Sequence, residues 1–258
     1  MTEKTLGYIT RKSMLYKTAV EYGDYTMNHV LGCSHGCLYP CYAFLIAMRF
    51  KKVTSYTDWL EPKLVENTLE LLETELPRYK HNITSVQLCF TTDPFMLGYP
   101  EITEVSLAAI KRINQEGIPC NILTKGILPK ELSVFSVKNE YGITLISTDE
   151  EFRSRIEPGA LNYDERIFHL KYLHDQGCRT WVSIEPYPTP NINEQSIHEL
   201  LDRISFVDKI IFGRMNYNKA VTNYPNHNHY YKETSSVVED FCSRNNIKYV
   251  LKRKTIKQ

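Results

Sequence analysis

The sequence lacks most of the features that would place it outside the ordinary globular class. Its first residues, Met1 to Gly7, carry no apolar core of the kind a secretory signal needs. The longest uncharged apolar run near them, Ala43 to Met48, is far too short to span a bilayer. No membrane partner is expected, and the cytoplasm is the expected location. An excess of one charge is also missing. The net charge is +1, so no field of the whole chain favours nucleic acid or membrane. No linker, repeat or low-complexity tract divides the chain. Its 258 residues, 42% hydrophobic and 24% charged, suit one large α/β domain spanning 1–258.

The sequence has seven cysteines, and their placement says more than their number. Cys89, Cys120, Cys178 and Cys242 are scattered and read as small buried side chains. The other three of the seven, Cys33, Cys37 and Cys41, fall at even four-residue intervals within Gly32 to Tyr42. Thiols this dense in a chain without a secretory signal point to metal ligands rather than disulfides. A closed structural zinc site wants four ligands. His35 stands two residues from either neighbouring cysteine, so joining them on one ion would strain the loop. An iron–sulfur cluster held by three thiolates, with one iron open to another molecule, fits the count. A zinc knuckle or surface thiols are the alternatives.

Hydrophobic periodicity predicts strands at Tyr25–Leu31, Ile83–Phe90, Pro119–Thr124, Tyr141–Ser147, Thr180–Glu185, Val207–Phe212 and Lys248–Leu251. Helices are predicted at Tyr42–Phe50, Thr57–Leu76, Glu104–Gln115, Tyr163–Gln176, Glu194–Ile204 and Glu233–Ser243, with a short one from Pro129. A βα unit repeated about six times implies a parallel sheet, either a full or partial barrel or a doubly wound sheet. Chemistry in both gathers at the C-terminal ends of the strands. Those ends carry Thr91-Thr92-Asp93-Pro94, Thr124-Lys125-Gly126, Ser147-Thr148-Asp149-Glu150, Glu185-Pro186 and Gly213-Arg214-Met215-Asn216. Asp93 and Asp149 also suit helix or turn caps. Lys125 and Glu185 are charges at the ends of apolar strands, where each needs a partner or a ligand.

Asn28-xxx-Gly32-Cys33-xx-Gly36-Cys37-x-Tyr39-Pro40-Cys41-Tyr42-Ala43 resembles the cluster motif of radical SAM enzymes, in the branch of spore photoproduct lyase. The likeness continues in order through Thr91 to Pro94, Thr124-Lys125, Ser147-Thr148, Arg155-Ile156-Glu157-Pro158, Arg166 and Glu185-Pro186. It covers about residues 25–215 and leaves 216–258 as a C-terminal extension. The resemblance implies a partial (β/α)6 TIM-like barrel carrying a 4Fe–4S cluster and S-adenosylmethionine (SAM). Reductive cleavage of SAM would yield a 5′-deoxyadenosyl radical, with a flavodoxin- or ferredoxin-like electron donor. By position it makes Cys33, Cys37 and Cys41 the cluster ligands. Thr92 and Asp93 would meet the methionine amino group and Lys125 its carboxylate. Ser147 and Glu185 would serve the ribose, and Tyr39 or Tyr42 the adenine. Lys125 and Glu185 are the catalytic candidates.

Two departures stand out. The usual spacing is CxxxCxxC, and Pro40 adds one residue. Either a local bulge in the loop absorbs it or the third ligand moves enough to alter the redox potential or lose the cluster, and the bulge is expected. The branch's namesake has a hydrogen-donating cysteine three residues before the aspartate matching Asp93, where this chain has Phe90. Cys89 beside it is expected on the opposite strand face, which disfavours repair of a DNA lesion. The basic tail from Lys252 to Lys257 and the Tyr224–Tyr231 segment make nucleic acid one candidate substrate. The segment from Arg214 to Tyr231 is expected to close over it. A metal-bearing nucleic-acid-binding module and a degenerate barrel acting as a partner subunit are the competing classes.

Overall fold

The computed structural model describes residues 5–18, 23–253 and 255. Of the basic tail, Lys254, Ile256 and Lys257 lie outside the described residues. Among the described residues the main sheet has eight strands. From one edge they are Lys248–Leu251, Lys209–Arg214, Arg179–Tyr187, Glu140–Thr144, Cys120–Thr124, Val86–Leu88, Tyr25–Met27 and Leu15–Lys17. Only the last pairing is antiparallel. The seven parallel strands follow one another in sequence order without reversal, which is the winding of a barrel rather than of a doubly wound sheet. The two edge strands stand at opposite ends of the hydrogen-bonded order, so the barrel is partial.

Central strands such as Cys120–Thr124 and Lys209–Arg214 are largely buried on both faces because helices cover one side and the barrel interior the other. The helices begin where the sequence supplies caps. Asn162 accepts the backbone N–H of Glu165, Ser196 that of Glu199, and Asp149 that of Glu151. No helix among the described residues is long and apolar enough to cross a membrane.

The sheet and helices share one large core that runs from Met14 to Ile247. Tyr231, Val238, Phe241 and Cys242 belong to it, so the segment after residue 215 completes the core rather than lying over it. The final helix is His227–Arg244, six residues earlier than its periodicity predicts. Asn and His are poor helix formers, and burial of Tyr231 outweighs them.

Other boundaries moved for identifiable reasons. The run predicted as one helix, Thr57–Leu76, is a single turn Tyr56–Trp59, a strand Lys63–Val65 and a helix Thr68–Tyr79. Pro62 has no N–H and pushes Glu61 toward extended backbone, which breaks the helix. The freed strand joins a three-stranded sheet with Gly7–Ile9 and Val30–Leu31. That pairing also splits the predicted strand Tyr25–Leu31. The strand predicted to Phe90 ends at Leu88, because Cys89 takes a left-handed backbone with φ of 49°.

Candidate active site

The C-terminal ends of the strands open on a cavity of about 560 Å³. All three closely spaced cysteines line it, and so do Thr92, Asp93, Lys125, Glu185, Tyr39 and Tyr42. Ser147 does not. Its hydroxyl is fully buried, accepting from Asp149 N and from Asn193 Nδ2 at 3.1 Å. Thr144 of the strand Glu140–Thr144 and Ser183 of the strand Arg179–Tyr187 present hydroxyls to the cavity. Of the segment expected to close the site, Arg214, Asn216 and Tyr217 reach the cavity, whereas Asn226 to His229 do not. The alternation expected of Cys89 and Phe90 fails, because the positive φ at Cys89 turns the chain. Both residues line the cavity.

The cysteine loop is irregular and is held by its neighbours. Cys33 N donates to Trp59 O at 2.8 Å, Leu38 N to Ile156 O at 2.8 Å, and Gly159 N to His35 O at 2.9 Å. Gly159 has to be glycine: a Cβ there would lie 2.1 Å from Ser34 O. Gly32 has φ of 91°, and its Cβ would meet Trp59 O at 2.8 Å. Cys41 is the N-cap of the helix Tyr42–Arg49, so the third thiol is set by the start of that helix.

His35 faces Asp93, with Nε2 at 2.8 Å from Oδ2. Asp93 also accepts from Phe95 N and Thr124 Oγ1 on Oδ1, and from Lys125 N on Oδ2. Burial alone would raise its pKa, but His35, Thr124 and the Lys125 amide together hold it below the usual carboxylate range. Asp93 therefore clamps two strand ends to the cysteine loop. Asn28 works alongside it, taking the N–H and hydroxyl of Thr91, each at 2.9 Å.

Beneath the loop lies a buried charge network that local sequence did not reveal. Glu157 is fully buried between Lys125 Nζ at 2.6 Å and Arg166 Nη2 at 2.9 Å. Tyr39 OH donates to Glu157 Oε1 at 3.1 Å, and Lys125 contacts both that hydroxyl and Cys37 Sγ, the latter at 3.3 Å. Burial would raise the Glu157 pKa, but Lys125 and Arg166 bring it down to about 2. Burial likewise opposes charge on Lys125, and the negative charges of Cys37 and Glu157 overcome it and raise its pKa. The sequence signals were the charge of Lys125 at a strand end, which needed a partner or a ligand, and the Arg155-Ile156-Glu157-Pro158 and Arg166 positions, which carried no assigned role.

The three thiols suit an iron–sulfur cluster. Burial pushes the Cys33 thiol well up, and the nearby Cys37, Asp93 and Cys41 add to it. Burial also raises Cys37, partly countered by Lys125. Thiols that resist ionisation alone give up their protons to a bound metal cation. Among the described residues, no three His, Cys, Asp or Glu side chains already gather around a single point. A cluster takes one thiolate per iron, so its ligands need not converge on one ion.

The sequence matches the Radical SAM superfamily over residues 27–204. Uncharacterized protein ORF301 of Acidianus two-tailed virus is 25% identical over 192 residues, which is 70% of this chain and 61% of that protein. Uncharacterized protein MJ0683 of Methanocaldococcus jannaschii is 23% identical over 181 residues, 69% of this chain and 66% of that protein. The chain thus matches less than two thirds of the length of either relative. Among solved structures, spore photoproduct lyase complexed with dinucleoside spore photoproduct superposes with a TM-score of 0.68 at 14% identity. That likeness covers 96% of this chain and 82% of that one, and it shows a common fold. With a family match over most of the chain and a partial barrel whose strand ends open on three cysteines, this chain belongs to the Radical SAM superfamily.

Proposed function

We propose that the cavity holds a 4Fe–4S cluster on Cys33, Cys37 and Cys41 and cleaves SAM reductively to act on a separate substrate. The observation that carries this is the meeting of all three thiols with polar strand-end residues in one cavity. When bound, the cluster and SAM supply one-electron cleavage of the sulfonium to methionine and a 5′-deoxyadenosyl radical. Everything else falls to the protein. Trp59, Ile156 and Gly159 hold the loop that presents the thiolates. Asp93 spends its acceptors within the protein, so it positions His35 and Lys125 instead of binding the methionine amino group directly. Lys125 offers a cation beside Cys37, held by Glu157 and Tyr39. Its donor to Cys37 is the one that would turn to the methionine carboxylate once that thiolate binds iron. Thr92 and Glu185, together with Thr144 and Ser183, supply hydroxyls and a carboxylate for the amino and ribose groups. Tyr39 and Tyr42 offer ring faces. The electron comes from a flavodoxin- or ferredoxin-like donor.

Anaerobic reconstitution tests the proposal. The protein should take up about four irons with matching sulfide, as this cluster type requires. Dithionite and SAM should then release 5′-deoxyadenosine, measured by mass spectrometry, and Cys37→Ala should hold almost no iron. Stoichiometric zinc without iron in protein purified anaerobically would support the nucleic-acid-binding alternative instead.

A further inference from the structure

Two cations in the cavity play no part in the cysteine loop. Arg214 ends the strand Lys209–Arg214, and Lys252 follows the neighbouring parallel strand, its N–H donating to Phe212 O at 2.9 Å. Both line the cavity. The Arg214 guanidinium donates from Nε to Asn216 Oδ1 at 3.0 Å. Its Nη1 is buried and has no hydrogen-bond partner among the described residues. Among the described residues no carboxylate forms an ion pair with Arg214. The carboxylate of Glu185, on the adjacent strand, lies 3.8 Å from Lys252 Nζ, at the long end of an ion pair.

A guanidinium stays charged at any pH a protein meets. Burying one of its nitrogens without an acceptor is unfavourable to the free protein. Nothing in the sheet needs that arrangement, because strand pairing here is made by backbone groups. No described residue supplies that acceptor, and Arg214 lines the cavity, where a ligand oxygen can. A guanidinium fork suits the paired oxygens of a phosphate or carboxylate, and Lys252 adds a second positive charge beside it. The chain as a whole is nearly neutral, so this attraction is confined to the cavity.

We propose that Arg214, with Lys252 beside it, forms an oxyanion subsite that takes a phosphate or carboxylate group of the substrate. This rests on the reading of the cavity as the reaction site and adds a substrate class to it. Its test is independent of the cluster, because it uses the full chain as purified.

Thermal unfolding is followed with sodium phosphate, sodium succinate, or sodium chloride at matched ionic strength. Phosphate or succinate at tenfold above its dissociation constant should raise the wild-type melting temperature by about 2–4 °C over chloride. Phosphate acting alone identifies a phosphate-bearing substrate, and succinate acting alone a carboxylate. Arg214→Met, which keeps an unbranched apolar stem without the charge, should abolish the shift. It should melt no lower than wild type in chloride, since the unpaired cation is gone. Arg214→Lys should keep part of the shift, because a single ammonium replaces the fork. No anion-specific shift in the wild type would overturn the proposal, as would an equal shift in Arg214→Met. So would an Arg214→Met protein that melts several degrees lower in chloride, which marks Arg214 as structural. A loss of SAM affinity in Arg214→Met with the phosphate and succinate shifts intact would assign the residue to SAM and also overturn it.

Discussion

Glu157 concentrates the electrostatics of the site in one side chain. It is buried, yet Lys125, Arg166 and Tyr39 meet both of its oxygens. Removing one member of such a network leaves the others as uncompensated buried charges. Glu157→Gln should therefore destabilise the fold by about 3–5 kcal/mol, measured by urea unfolding. The same carboxylate sets a pH dependence. Its pKa is about 2 in the folded protein against the ordinary 4.5, so its contribution is fully present at neutral pH. That contribution, about 3 kcal/mol by linkage, should fade as pH falls from near 4.5 toward 2. Glu157→Gln should lack this part of the acid loss, so the two urea midpoints should converge as pH falls. None of this was legible locally: Lys125 and Glu157 are 32 residues apart, and only the packing of the helix Tyr163–Asp175 brings Arg166 to them.

At the scale of elements, the cysteine loop takes its shape from segments remote in sequence. The helix that follows it was legible from periodicity and is present at Tyr42–Arg49. The loop itself has no period, and glycines at 32, 36 and 159 let its backbone turn or pack closely. Gly159→Ala would drive a methyl group into Ser34 O, so the loop must move or the 159 turn must open. Anaerobically reconstituted Gly159→Ala should keep its far-ultraviolet circular dichroism and hold substantially less iron than wild type. Full iron loading would show that the loop tolerates displacement by its neighbour. Pro40 is accommodated between Tyr39, tied to Glu157, and Cys41, which caps the next helix. Deleting it would restore the commoner spacing but would pull these two anchors together.

Across the whole molecule, one core joins the sheet, its helices and the segment after residue 215. Tyr231, Val238 and Cys242 are fully buried in it, and Lys248–Leu251 extends the sheet beside Lys209–Arg214. Each large buried side chain contributes roughly 1.5–3 kcal/mol, so losing several exceeds the stability of an ordinary domain. A chain ending at residue 215 should show no cooperative urea transition by circular dichroism. A cooperative transition in that truncated chain would mean that the last helix is an accessory to the core.

The sequence by itself determined the alternation of strand and helix, the cysteine spacing, and the order in which polar residues follow the strands. These properties are local: a period of two or near 3.6, a cap, or a proline acts within a few residues. Tertiary structure decided which strand-end residues share the cavity. It turned Ser147 away and brought Thr144 and Ser183 in, gave both Asp93 oxygens to neighbours, and turned Cys89 inward at a left-handed residue. It also assembled the Lys125–Glu157–Arg166 network and left Arg214 Nη1 without an acceptor among the described residues. Those outcomes depend on where each strand stops and how its end twists against the next. That is settled by backbone pairing and packing between segments tens of residues apart, which no local pattern encodes.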